Sequence, residues 1–253
     1  MRLQRRSASI GFRRSHQYRE NLSIFQVDQM SFLGKYMHWL HTRWPAGEVE
    51  KLPRVDGNGE TNIAGLYVVG DLTGIPLLKF SVDTGARAVC HILSDERFMA
   101  GVQEGVHDLA IVGAGVAGMS AALEAREAGL DFVLLEATEP FSTLVNFPKG
   151  KPIYTYPTEM EPAGQVHLES EAKEPLVAEL KEQTLQQGIE PAIVRVERVM
   201  KRGDQFEVQI PQGENLLARR VVVGIGRSGN FRKLGVPGDN RDKVFNRLHD
   251  TSD

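Results

Sequence analysis

Asp108-Leu109-Ala110-Ile111-Val112-Gly113-Ala114-Gly115-Val116-Ala117-Gly118 decides the fold. The four residues Leu109 to Val112 are apolar without interruption, as expected of a strand buried on both faces. They run straight into a glycine-rich turn. An alanine-rich helix is predicted from Val116 to Ala128, closed by Gly129 in the left-handed conformation that ends many helices. A second apolar strand, Phe132 to Leu135, ends at Glu136. Strand, helix and strand in this order and at this length make a complete βαβ unit, so the chain is α/β.

The spacing of the glycines carries a chemical meaning. A diphosphate bound at a helix N-terminus needs bare backbone, because amides such as those of Val116 and Ala117 must point at its oxygens and a Cβ would collide. Gly113 permits the tight turn, Gly115 lets phosphate approach, and Gly118 lets the helix lie close to the sheet. Glu136, at the end of the second strand, is placed to accept both hydroxyls of an adenosine ribose. An acid there favours FAD or NAD over NADP. The bland readings are a tight strand-to-helix connection for the glycines and a solvated strand end for Glu136; the agreement of all four elements favours the nucleotide.

Two further apolar runs flank this unit. Upstream, Gly65-Leu66-Tyr67-Val68-Val69 is a short strand ended by Gly70-Asp71, and a helix is predicted to follow with Pro76 in its first turn, running to Leu93. Downstream, an aromatic loop passes through Tyr154-Thr155-Tyr156-Pro157. A helix is predicted from Pro175 to Gln187, with Leu176 and Leu180 on one face and Gly188 as its stop. Three strands, Ala192–Val199, Gln205–Ile210 and Ala218–Gly224, are read as an antiparallel meander with a Gly203-Asp204 turn.

The segments Gly65–Asp71 and Arg219–Gly226, the latter followed by Leu234-Gly235-Val236-Pro237-Gly238-Asp239, resemble elements of the thioredoxin reductase-like and glutathione reductase-like flavoproteins. In the second, Gly224-Ile225-Gly226 stands where those families have an Ala-Thr-Gly triplet. The Tyr154–Pro157 loop is similar to that of the bacillithiol disulfide reductase-like branch. The resemblance implies a three-layer FAD/NAD(P)-binding Rossmann-like domain, a parallel sheet with helices plus a small antiparallel β-meander. It implies FAD as cofactor, with Asp71 and Gly70 at the ribityl chain, the helix after Pro76 aimed at the flavin's pyrimidine edge, and Gly224 and Gly226 beside the nucleotide. Lys79 is expected to add a positive charge near the ring, or else to be a solvated helix residue. Tyr156, with Tyr154, is expected to flank the ring or merely to anchor its loop. No residue is assigned as catalytic, because the cofactor carries this chemistry.

The expected organisation is an irregular N-terminal arm over residues 1–60, a Gly-Asp flavin-binding segment over 61–95, a linker over 96–106, the FAD-binding domain over 107–240, and a tail or the start of an NAD(P)H domain over 241–253. The order departs from the family's, in which the Gly-Asp element comes last. Either the early segment folds back to complete its own site, or two modules are fused. No second glycine fingerprint follows Asp239, so the chain reads as a fragment whose parent takes hydride from NAD(P)H. A homodimer, or association with the missing NAD(P)H domain, is expected.

Composition bounds the rest. A formal net charge of -3, from 30 Lys+Arg against 33 Asp+Glu, provides no field to gather nucleic acid. Cys90 is the single cysteine, so an internal disulfide, a CxxC pair and a four-thiolate metal site are excluded. No apolar run approaches the roughly 20 residues of a membrane span, and a reducing, cytoplasmic setting is expected. His38 and His41, near the Trp39–Pro45 cluster, lack neighbours at ligand spacing, so no metal is assigned. Met1–Arg14 is basic and acid-free, which fits a transit peptide or a frayed end. The acceptor is expected to be a small molecule or a small redox protein. Two competing readings stay open: a nicotinamide-only dehydrogenase domain, and a non-catalytic interaction module.

Overall fold

The computed structural model describes residues 51–101, 103–211, 213–227 and 235–238. The Trp39–Pro45 cluster, His38, His41, Met1–Arg14, Gly229, Asp239 and the 241–253 tail lie outside the described residues. Those described fall within one unit, Lys51–Asp253. Seven strands form one sheet: β1 Leu66–Val68, β2 His107–Val112, β3 Phe132–Glu136, β4 Ala192–Ile193, β5 Arg198–Arg202, β6 Gln205–Gln209 and β7 Leu216–Val223. Among the described residues, five α-helices accompany them: α1 Leu78–Leu93, α2 Glu96–Met99, α3 Val116–Glu127, α4 Ser142–Val145 and α5 Lys173–Gln183.

The path through the sheet is β4-β3-β2-β7-β6-β5, with β1 paired to β7. β2, β3, β4, β1 and β7 run parallel, while β6 is antiparallel to both β5 and β7. The long strand β7 is shared in halves along one edge. β6 occupies Leu216–Ala218, and β1 occupies Val221–Val223. Where the meander turns away, the upstream strand enters, and this is how the early segment folds back into the sheet.

Continuous apolar runs in β2, β3 and β7 follow from burial on both faces. On one face Leu109, Ile111, Leu134 and Val222 pack with α1, α3 and α5. On the other, Ala110, Leu135 and Val221 pack with Phe206 and Val208 of β6. Helices, parallel sheet and folded-over meander are thus the three layers that were expected.

α1 and α3 approach backbone to backbone. A Cβ on Gly85 would lie 2.2 Å from the Ala117 carbonyl oxygen, and the buried Ser120 hydroxyl donates to the Val82 carbonyl at 2.8 Å. α3 ends in a Schellman motif: Leu130 N–H donates to Ala125 and Gly129 N–H to Arg126, with Gly129 at φ 69°.

Four expectations are corrected. α1 begins at Leu78, not at Pro76; Pro76 instead centres a three-residue turn in which Leu77 N–H donates to the Ile75 carbonyl, and Leu77 stays extended. The 96–106 linker contains α2, whose Phe98 is buried beneath the guanidinium groups of Arg219 and Arg220. Arg219 pairs with Asp108 at 2.7 Å and Arg220 with Asp95 at 2.7 Å, and the Arg220 bond holds the Asp95 carboxyl below its usual range. The helix predicted to Gln187 breaks at Thr184, whose hydroxyl takes the Leu180 carbonyl at 2.6 Å, and a 3-10 turn over Leu185–Gln187 leads to Gly188 at φ 85°. The strand predicted over Ala192–Val199 is two strands, β4 on the parallel edge beside β3 and β5 in the meander.

Tyr67 is buried in β1 and bonded to His91 Nδ1 of α1 at 3.1 Å. Burial first, and the Glu60 carboxylate second, push its phenol up to about 12 from 10.0. The unfolded chain therefore loses this proton while the native state keeps it, so stability should fall between pH 10 and pH 12 by roughly 2–3 kcal/mol from this group alone. Urea titrations across that window should show Tyr67→Phe escaping this component of the loss; parallel decline in both proteins would contradict it.

Candidate functional site

The carboxyl ends of β1, β2 and β7 come together, since the three strands are parallel and in register through Val68, Val112 and Val223. In open α/β sheets this end is where ligands bind. Each strand here delivers a glycine. A Cβ on Gly113, itself at φ 103°, would lie 2.5 Å from the Gly224 carbonyl oxygen. One on Gly118 would lie 1.8 Å from the Gly113 oxygen; one on Gly70, 3.0 Å from Ala117 Cβ; and one on Gly224, 3.2 Å from Val69 Cγ2 and 3.3 Å from Gly118 N. These four glycines exist so that three strand ends and the start of α3 can touch.

Gly115 differs. Its backbone is extended (φ -75°, ψ -174°), a conformation open to any residue, and the nearest atom to a Cβ there is 3.9 Å away. Among the described residues, nothing requires glycine at this position. It is the N-cap of α3, and no side chain caps that helix, so the amides of Val116 and Ala117 open a helix mouth with a bare approach. This is a cradle that a side chain would fill, and it fits the diphosphate of a dinucleotide. Gly226, at φ 63°, likewise has nothing within 4 Å among the described residues, and Ile225 between the two glycines is exposed.

Glu136 is buried yet turned towards the same mouth. Its Oε2 accepts the Ala114 N–H at 2.7 Å, and its Oε1 accepts Thr138 N–H at 3.0 Å and the Thr138 hydroxyl at 3.3 Å. The Ala114 carbonyl accepts the Phe141 N–H at 3.0 Å, with Phe141 buried at φ 58°. Ala114 is thus gripped on both sides, by the last residue of β3 and by the segment that follows it. A carboxylate has about four acceptor sites, of which three are used here, so one remains for a ribose hydroxyl and the long Thr138 contact is the one to exchange for a second. Ala114, Thr138 and Phe141 escaped the reading of the sequence; the hydroxyl two positions after Glu136 was its one available signal.

The Gly-Asp element is held by α1. Gly70 N–H donates to Thr84 Oγ1 at 2.9 Å, the Thr73 hydroxyl donates to the Gly70 carbonyl at 2.8 Å, and Asp71 Oδ1 accepts the Ser81 hydroxyl at 3.2 Å. The other Asp71 oxygen accepts nothing from the described residues. Lys79 is held by backbone: its ammonium donates to the carbonyls of Pro157, Thr158 and Met160, neutral acceptors that leave its positive charge in place. Tyr154 and Tyr156 are exposed and stacked on each other, centroids 6.2 Å apart. The Cys90 thiol is pushed up by burial and by Glu124, although the residue is exposed overall, the reverse of an activated thiolate. Among the described residues, no cluster of His, Cys, Asp and Glu could hold a metal ion, and no helix is long and apolar enough to cross a membrane.

Parallel strands ending in a glycine-lined helix mouth define a Rossmann-like nucleotide-binding domain. Residues 110–253 match the pyridine nucleotide-disulphide oxidoreductase family, and the chain, more than half of it within that match, belongs to this family of redox enzymes. A curated relative, the ferredoxin–NADP reductase of Ignicoccus hospitalis, is 25% identical over 142 residues, covering 55% of this chain and 43% of the relative. Among solved structures, the bacillithiol disulfide reductase Bdr of Staphylococcus aureus is 20% identical with a TM-score of 0.44, covering 57% of this chain and 45% of its own. The thioredoxin reductase of Streptococcus pyogenes is 23% identical with a TM-score of 0.39, covering 54% and 40% respectively. The chain therefore spans less than half the length of these relatives.

The glycines should separate fold from binding. Gly118→Ala, with a Cβ 1.8 Å from backbone oxygen, should cost about 3 kcal/mol or more in chemical denaturation. Gly115→Ala should cost no more than about 1 kcal/mol. Equal losses would show that Gly115 is packed against protein after all.

Proposed function

We propose that this chain binds FAD, with the adenosine diphosphate half on Gly113, Gly115, Val116, Ala117, Gly118 and Glu136. The flavin half lies towards Gly70 and Asp71, with Gly224 and Gly226 between. The observation that carries this reading is the open face of Gly115, where bare backbone meets an uncapped helix start while a buried carboxylate reaches the same loop. A helix N-terminus with exposed amides attracts the diphosphate, and Glu136 holds the sugar. FAD, when bound, supplies a ring that accepts and passes on a hydride equivalent. The protein's own residues bind and orient it.

The parent activity in this reading is electron transfer from NAD(P)H through FAD to a small-molecule or small-protein acceptor. The family assignment supports a redox role, and the Ignicoccus hospitalis relative is named a ferredoxin–NADP reductase. The position of Asp71 favours FAD over a nicotinamide-only dehydrogenase. Its half-buried carboxylate, fixed by Ser81 with one oxygen unused, stands at the same strand ends as the glycine cradle, where it can take a polyol hydroxyl.

The test is titration of the apoprotein with FAD, followed by flavin fluorescence, with NADH titrated in parallel. FAD should saturate the protein, and Gly115→Val and Glu136→Ala should each weaken it at least about tenfold, equivalent to 1.4 kcal/mol. Saturable NADH binding with indifference to FAD would overturn the assignment.

A further inference from the structure

Segment 157–165 has no regular structure, yet side chains of the two central helices receive its backbone. Lys79, in the first turn of α1, donates to the carbonyls of Pro157 at 2.8 Å, Thr158 at 3.0 Å and Met160 at 2.8 Å. One turn on, Asp83 Oδ1 accepts the Ala163 N–H at 3.0 Å. Gly164 lies so close to α1 that a Cβ there would be 2.6 Å from Ala86 Cβ, and Glu124 of α3 accepts the Gln165 N–H at 3.1 Å. The segment is a strap, stitched along α1 from its first turn and across to α3.

The position of the cation is informative. A lysine in a helix's first turn is opposed by the partial positive charge of the free amides, so the three carbonyls are what keep its ammonium there. Those carbonyls also take all three of its donors, which leaves Lys79 no N–H to donate to a bound group. What it does determine is where residue 156 goes. Tyr156 precedes the first clamped carbonyl, is 56% exposed, and stacks on Tyr154, itself 71% exposed, at an interplanar angle of 28°. The same first turn carries Ser81, bonded to Asp71. Lys79 and Ser81 thus bring an aromatic pair and the Gly-Asp carboxylate to one end of one helix.

We infer that Lys79 is a positioning residue that fixes the Tyr154–Tyr156 pair as an aromatic wall beside the ring of the bound cofactor, without touching that cofactor itself. This rests on the flavin reading above. Planar phenol rings held open to solvent offer an isoalloxazine ring a stacking face, and a flavin stacked on tyrosine loses fluorescence by electron transfer from the phenol.

The experiment compares full-length wild type, Lys79→Met, Lys79→Arg, Tyr156→Leu and the double variant Lys79→Met/Tyr156→Leu. It measures the Kd for FAD, the Kd for ADP as a probe of the adenosine half alone, and the fluorescence of bound FAD. Lys79→Met should bind ADP within about twofold of wild type, bind FAD roughly tenfold more weakly, and leave the bound flavin at least about twofold brighter. Lys79→Arg should restore part of the quenching. Tyr156→Leu should brighten the flavin too, and the double variant should be no brighter than Tyr156→Leu, because both changes remove one wall.

Bound FAD as dim in Lys79→Met as in wild type, or effects that add in the double variant, would overturn the proposal while leaving flavin binding intact. Should Lys79→Met not fold, Lys79→Arg and Tyr156→Leu decide: unchanged quenching in Tyr156→Leu, or bound FAD in Lys79→Arg as dim and as tightly held as in wild type, overturns it. Wild type that binds ADP but not FAD would remove the flavin reading together with the wall.

Discussion

Gly118 sits so close to Gly113 that their contact admits no atom beyond a hydrogen: a Cβ would lie 1.8 Å from the Gly113 oxygen. Excluded volume at this point is the constraint on which the rest depends. It draws the first turn of α3 onto the end of β2, and Gly113 in turn lies against the Gly224 carbonyl at the end of β7. Because β1 pairs with β7, the same contact indexes the Gly70–Asp71 element to the βαβ unit. Bare backbone thus aligns three strand ends and a helix start within van der Waals contact, with no ligand needed to explain it.

Gly115 differs because no such contact among the described residues explains it. Its freedom faces outwards, at an uncapped helix mouth, with the Glu136 carboxylate buried behind the same loop. A buried carboxylate is costly unless bonded. Here backbone amides of Ala114 and Thr138 compensate it, and the neighbouring helix start favours negative charge. The arrangement is stable without a ligand and still retains an acceptor site for one.

The βαβ unit was legible from residues 108–136 because every local signal agreed: uninterrupted apolar strands, a glycine turn, an alanine-rich helix and a glycine stop. The return of β1 to the sheet could not be read, since it depends on β6 leaving β7 halfway along its length, a matter of register between residues far apart in sequence. The Ala192–Val199 run looked like one strand because β-propensity carries no information about partners; its two ends pair with different neighbours. The contacts of Lys79 were illegible for a similar reason. A lysine's three donors find whatever carbonyls tertiary structure supplies, and here these come from a strap nearly 80 positions away. Phe98, in a stretch that reads as polar connection, is buried because Arg219 and Arg220 cover it with their guanidinium faces.

The backbone at Gly115 to Gly118 is the part of the molecule proposed to receive a diphosphate. Isotope-labelled protein titrated with ADP and followed by backbone amide NMR tests it directly. Saturable shifts should concentrate on the amides of Val116, Ala117 and Gly118, with Ala114 moving as Glu136 takes up the sugar. Saturable binding that leaves those amides unmoved, or no binding at all, would contradict it.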